Sequence, residues 1–150
     1  MSLLIREATE ADLPGVLALY GQSGLDNDAV LTVAQAREVF QQFARYPSYR
    51  LFVACEPAHP GSVIATYALL VMHNLAHCGA PSAIAEDVVV HPQRQGRGIG
   101  RQLMAHAIEQ AREAGCYKLA LSSNAKRQAA HAFYESLGFQ RHGLSFVIET

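Results

Sequence analysis

The sequence predicts a mixed α/β (α+β) domain, and three observations carry that prediction. Apolar runs rich in β-branched residues at 50–55, 62–71 and 83–90 read as strands. Two later segments, 99–114 and 124–136, repeat apolar residues at helical spacing, with a short strand at 117–121 between them. Both periods interleave along 150 residues, a length suited to one domain, 1–150, with a substantial core.

In chain order, Leu3-Leu4-Ile5 reads as a first strand. Thr9-x-x-Asp12 marks a helix start, followed by Leu13, Val16, Leu17 and Tyr20 on one helical face. The polar stretch from Gly21 to Asp28 is a loop. Thr32-x-x-Gln35 resembles a capping box and opens a helix with Ala36, Val39, Phe40 and Phe43 inward. Arg50–Cys55 and Ser62–Val71 form an antiparallel hairpin across a turn with two prolines. His73–Ser82 is a loop and Ala83–Val90 the central strand, which Pro92 ends because it has no ladder donor. The next helix stops near Gly115, and the one after it is closed by Gly138. Residues 139–141 and 144–148 read as the last strands, turning at His142-Gly143. There is no internal repeat, low-complexity segment or linker.

Composition narrows the function. Half the residues are hydrophobic, 17% are charged and the net charge is −1, so the chain reads as globular. No basic patch suggests nucleic acid, and no polybasic run or 18-residue apolar stretch suggests a membrane. Arg6, Glu7 and Glu10 near the start argue against a signal peptide. Cys55, Cys78 and Cys116 are an odd, scattered set that fits a reducing compartment, hence a cytoplasmic protein.

The chemistry concentrates in residues 86–101, which run from Glu86-Asp87 through three valines and His91-Pro92 to three glycines in five residues. The order is strand, glycine-rich turn, helix N-terminus. Such a turn points free backbone N–H groups outward at the positive end of a helix dipole, an anion site suited to phosphate or pyrophosphate. Arg94, Arg97 and Arg101 add positive charge. A Walker A loop is excluded, because no Lys-Ser/Thr pair follows the glycines. The dinucleotide fingerprint fails too: from Gly96 its last glycine would be Arg101, and from Gly98 it would be Leu103.

What fits is Gln95-x-x-Gly98-x-Gly100 after a Val-x-Pro strand end, together with Phe133-Tyr134-Glu135-Ser136-Leu137-Gly138-Phe139. These residues resemble the acetyl-CoA loop and a later helix of the GNAT (Gcn5-related N-acetyltransferase) superfamily. The resemblance covers nearly the whole chain, with least support before residue 50. It implies a GNAT fold, a mixed central sheet splayed at the fourth strand and flanked by about four helices. It implies acetyl-CoA as co-substrate, its pyrophosphate cradled at Gln95, Gly96, Arg97, Gly98, Ile99, Gly100 and Arg101. The pantetheine arm would pair with the strand at Val88, Val89 and Val90, and a backbone N–H near Val88 would face the thioester oxygen. Residues near 21–33 would shape acceptor choice; without the resemblance they are only a surface loop.

Glu86 and Asp87 are adjacent, so strand geometry points them to opposite faces. Burying both in one apolar layer would be costly, so at least one should face a polar cavity. The pair resembles that of the family's polyamine and glucosamine-phosphate acetyltransferases. That implies Glu86 as base, often through water, and Asp87 as an acceptor contact or structural group. The alternative for each is a carboxylate that only caps or pairs with a basic side chain. Tyr134 would be the acid that protonates the CoA thiolate, or else a residue lining the cofactor pocket. Many family members place an Asn seven residues before this Tyr; here Arg127 stands there and Asn124 lies ten before. Asn124 and Arg127 are both carried as candidate cofactor contacts, Arg127 alternatively as a solvated helix residue.

The resemblance implies N-acetyl transfer to a small-molecule primary amine by direct attack in a ternary complex. The alternatives are a non-catalytic acyl-CoA sensor or partner-binding module, and a protein N-terminal or lysine acetyltransferase. His73 and His77 have the two-His spacing of a zinc helix, but Asn74 replaces the needed Glu and Gly79 and Pro81 argue for loop, so no metal is expected. The apolar strand 144–148 could support a homodimer, or simply belong to the sheet core.

Overall fold

The computed structural model describes residues 2–150. Its elements are β1 (Leu4–Glu7), α1 (Leu13–Ser23), α2 (Val33–Phe43), β2 (Tyr49–Cys55), β3 (Val63–Met72), β4 (Ser82–Val90), α3 (Ile99–Glu113), β5 (Leu119–Leu121) and α4 (Gln128–Ser136). The strands form one mixed sheet in the order β1-β2-β3-β4-β5. β1 to β4 are antiparallel neighbours, and β5 runs parallel to β4. The chain divides into two compact units, one ending at Ala120 and one from Leu121 to Thr150.

In the first unit, strand alternation decides which helix covers which face. Leu51, Val53 and Ala68 pack with Leu13, Val16 and Ala36, so α1 and α2 cover one face of the sheet. The residues between them in sequence, Phe52 and Tyr67, turn to the other face and meet His106 of α3. Both faces are therefore covered, and β2 is buried continuously from Leu51 to Cys55. α1 sits close to the sheet because Gly15 has no Cβ; one placed there would lie 3.1 Å from the Val63 side chain.

The helix starts follow the sequence signals. Asp12 Oδ2 accepts a hydrogen bond from the Thr9 N–H at 2.8 Å, closing a 3-10 turn at Glu10–Asp12 that leads into α1. Thr32 Oγ1 accepts from the Gln35 N–H at 3.2 Å, and Gln35 Oε1 accepts from the Thr32 N–H at 3.0 Å. On α2 only Ala36 is fully buried; Val39, expected inward, is exposed.

Two expectations fail in the second unit. The helix expected from 124 starts at Gln128; ahead of it Asn124 Oδ1 accepts from the Lys126 N–H at 2.9 Å and closes a local turn. No strand forms at 139–141 or 144–148. Leu144, Phe146, Val147 and Ile148 are 84–93% exposed. Strand propensity is mostly a preference for a pleated, half-covered surface, and here no neighbouring strand supplies one among the described residues.

Candidate active site

The turn after β4 is built to leave amides open. The His91 N–H donates to Ile64 O on β3 at 2.8 Å, and Pro92–Arg94 then makes one 3-10 turn. Gln95 is exposed, its amide donating to Val90 O at 3.4 Å. Gly96 and Gly98 both have left-handed φ, 75° and 77°. Gly98 is the N-cap of α3, and no side chain caps this end. The first helical bond runs from the Gln102 N–H to Gly98 O at 3.1 Å. The N–H groups of Ile99, Gly100 and Arg101 thus have no acceptor within the helix. An added Cβ on Gly98 would meet nothing within 4 Å, so the space in front of the turn is open. Behind it Ile99, Leu103, Met104, Ala107 and Ala111 are buried and hold the helix against the sheet. A pyrophosphate fits this set of uncapped amides and helix dipole. Arg97 and Arg101 are exposed and form no ion pair among the described residues. Arg94 is different: its Nη1 lies 2.5 Å from Glu56 Oε1.

Just upstream, β4 carries a bulge. Glu86 pairs with Ala68 and Val89 with Thr66, so Asp87 and Val88 together oppose Tyr67. Asp87 takes a left-handed φ of 52°, which Asp tolerates better than most residues. The bulge breaks the alternation that would have sent Glu86 and Asp87 to opposite faces. Both are exposed, and both carboxylates act on the same phenol, Tyr49, whose pKa is raised by burial and then by these charges. Burial, and then the charge of Asp87, raises the pKa of Glu86. Burial, and then the charge of Asp26, raises that of Asp87. Tyr20 is also pushed up, by burial and by Asp87. Val88 and Val90 are half-buried and Val89 is buried.

Tyr20, Asp26 and Tyr49 gather around the two carboxylates without having been singled out by the sequence. Tyr20 reads as an ordinary core position of α1 and Asp26 as one of several polar loop residues. Tyr49 is brought there by strand pairing alone and stacks on Phe43 at 4.2 Å. Beside them an apolar cavity of about 90 Å³ lies between α1 and α2, lined by Leu17, Tyr20, Leu31 and Phe40 among others. Residues 73–76 are not helical and His77 only opens a short 3-10 turn, so the spacing of His73 and His77 does not place them on one helix face; His77 stacks on Tyr117 at 4.5 Å.

The second unit holds the remaining candidates. Tyr134 is half-buried on α4, its ring against Phe133 and Phe139 at 5.3 and 5.9 Å. Its hydroxyl makes no hydrogen bond among the described residues, and burial raises its pKa against a smaller lowering by Arg127. Asn124 is exposed; its side chain closes its own turn, and its carbonyl accepts from the Arg127 N–H at 2.9 Å. Arg127 stands at the N-cap of α4 and is exposed.

A mixed sheet with uncapped helix amides between its bulged fourth strand and the following helix suits a class of proteins that hold an anionic group at that turn. Comparison with known proteins makes the class specific. Residues 17–139 match the acetyltransferase (GNAT) family. The chain is 33% identical over 144 residues to a rice (Oryza sativa subsp. japonica) protein described as a "probable glucosamine 6-phosphate N-acetyltransferase 2", covering 95% of this chain and 83% of that one. It is 40% identical over 87 residues to an aminoalkylphosphonate N-acetyltransferase of Salmonella typhimurium, covering 58% of this chain and 56% of that one. A solved structure assigned as an acetyltransferase from Agrobacterium tumefaciens str. C58 superposes with a TM-score of 0.88 at 41% identity, each chain fully covered. The chain belongs to the GNAT acetyltransferase family, and in class it is an acetyl-CoA-dependent N-acetyltransferase.

Proposed function

We propose that this chain is a single catalytic domain that transfers acetyl groups from acetyl-CoA to a small-molecule primary amine by direct attack in a ternary complex. The observation that carries the reading is the uncapped N-terminus of α3 at Gly98, directly after a bulged strand bearing two carboxylates. The relatives named for glucosamine 6-phosphate and aminoalkylphosphonate acetylation support a small acceptor.

Acetyl-CoA supplies an acetyl thioester. The turn from Gln95 to Arg101 holds its pyrophosphate through the free amides of α3, and Arg97 and Arg101 add charge. The backbone of Val88–Val90 aligns the arm, with the Val88 N–H toward the carbonyl oxygen. Glu86 takes the proton the amine must lose, directly or through water; a carboxylate with a raised pKa is a better base than a free one. Asp87 contacts the acceptor. Tyr134, kept protonated by burial, gives its proton to the departing thiolate. Asn124 and Arg127, ten and seven residues before Tyr134, stand near the place where the family has an Asn and are assigned to the cofactor, Arg127 in place of that Asn. We further place the protein in the cytoplasm, in keeping with its three free cysteines, and assign the exposed apolar segment 144–148 to a homodimer contact.

The test is CoA release over an amine panel for the parent and for Tyr134→Phe. The expected result is turnover on some amine, lowered about 10²-fold or more in the variant with acetyl-CoA binding retained. Tight acetyl-CoA binding without turnover on any amine would instead indicate a sensor. No binding at all would overturn the reading of the glycine turn.

A further inference from the structure

Three arginines surround the turn after β4, but only two are available to an anion. Arg94 ends the 3-10 turn that leads into the glycines, and its guanidinium is taken by Glu56 at 2.5 Å. Glu56 directly follows Cys55, the last residue of β2, and its carbonyl accepts from the His59 N–H at 2.9 Å, which fixes the β2–β3 turn. Five residues before the glycines, the His91 N–H donates to Ile64 O on β3. The segment entering the anion site is thus fastened to the β2–β3 hairpin twice, once by backbone and once by this ion pair. The Glu56 and Arg94 side chains are 20% and 36% exposed, a partly buried pair. A lone carboxylate beside an anion site would repel the ligand, and Arg94 cancels it.

Resting on the proposed cofactor reading of the turn, we propose that Arg94 is a positioning residue. It acts through Glu56 to hold the turn in its binding conformation and does not itself bind phosphate. The charge sign at 94 then matters only relative to that at 56.

The experiment is calorimetric acetyl-CoA binding, with kcat and KM on the best amine, for the parent, Glu56→Gln, Arg94→Glu and the exchange Glu56→Arg/Arg94→Glu. The expected Kd rises are about threefold for Glu56→Gln and about tenfold or more for Arg94→Glu, the size of a typical coupled charge pair. The exchanged pair returns to within about threefold of the parent, with kcat at saturating cofactor unchanged throughout. The exchanged pair keeps a thermal midpoint within about 2 °C of the parent. An exchange variant as weak as Arg94→Glu, or tighter binding in Glu56→Gln, would overturn the proposal and make Arg94 a phosphate ligand. A parent that does not bind acetyl-CoA would overturn the cofactor reading itself, a separate and distinguishable result.

Discussion

The ion pair between Arg6 and Asp12 is expected to be among the strongest single polar contributions to stability, and it can be tested directly. Arg6 donates from Nη1 to Asp12 Oδ2 at 2.7 Å and from Nη2 to Oδ1 at 2.8 Å, a bidentate pair. Arg6 Nη2 also reaches Pro60 O at 2.9 Å, and Asp12 Oδ2 also accepts from the Thr9 N–H. One carboxylate therefore ties β1, the start of α1 and the β2–β3 turn together. Its side chain is 4% exposed and that of Arg6 is 32% exposed. Removing one partner of a fully buried pair costs about 3–5 kcal/mol, whereas an exposed pair is worth about 0–1 kcal/mol. This pair lies between, so Asp12→Asn should cost about 2–3 kcal/mol. For a chain of this size that is a fall of about 5–10 °C in thermal midpoint. The internal control is Arg37→Gln, which breaks the pair with Glu10 at 3.2 Å, both side chains about half exposed; it should cost no more than about 0.5 kcal/mol.

The same pair predicts a pH window. The Arg6 guanidinium holds the Asp12 carboxyl below its ordinary value. A carboxylate with a depressed folded pKa adds stability above its unfolded pKa of about 4 and loses it as pH falls through the lower folded value. Urea denaturation from pH 7 downward should show the gap between parent and Asp12→Asn constant to about pH 5 and shrinking below about pH 4. A gap no larger than that of Arg37→Gln, or one that persists undiminished to pH 3, would refute the argument.

Two further expectations follow from the same structure. Gly98→Ala puts a side chain at a φ of 77°, a strain of about 1–2 kcal/mol, and fills the open space before the uncapped amides; acetyl-CoA affinity measured by calorimetry should fall about tenfold or more, while the thermal midpoint drops only a few degrees. Tyr67 Oη lies 2.7 Å from His106 Nδ1 in the core, so Tyr67→Phe should cost about 1–2 kcal/mol in urea denaturation. Burial, and then the charge of Arg50, holds His106 below the ordinary imidazole value; its share of stability is therefore present above about pH 6.5 and lost as pH falls below it, and His106→Gln should flatten that decline.

Local signals were legible in the sequence wherever a few consecutive residues decide the outcome. Thr9-x-x-Asp12, Thr32-x-x-Gln35 and the glycines at 96 and 98 each form the feature their spacing predicts. Asn124 shows the limit of a periodic reading: its side chain closes a local turn with the Lys126 N–H, and α4 begins only at Gln128. What stayed hidden depends on long-range register. Tyr49 and Asp87 lie 38 positions apart by number, and only the pairing of β2 with β3 and β3 with β4 brings them together. The partner of Arg94 was equally invisible, because nothing in the glycine turn specifies a carboxylate from the β2–β3 turn. The strand-like pattern at 144–148 failed for the same reason in reverse: propensity is local, but a strand needs an edge to pair with.

The bulge at Asp87 explains how two adjacent carboxylates can stand in the middle of a covered sheet. In a regular strand one of them would turn to the face occupied by Tyr67, Phe52 and His106, where a charge without a partner is strongly disfavoured. One extra residue opposite Tyr67 removes that conflict and leaves both exposed. The left-handed φ it requires falls on Asp, one of the few side chains that accept it readily. The backbone irregularity and the electrostatics therefore have one origin. Burial, and then the charge of Asp87, raises the pKa of Glu86; burial, and then the charge of Asp26 from the loop after α1, raises that of Asp87. Each carboxylate holds a proton more tightly than it would alone, and that is the property a base at this strand would need.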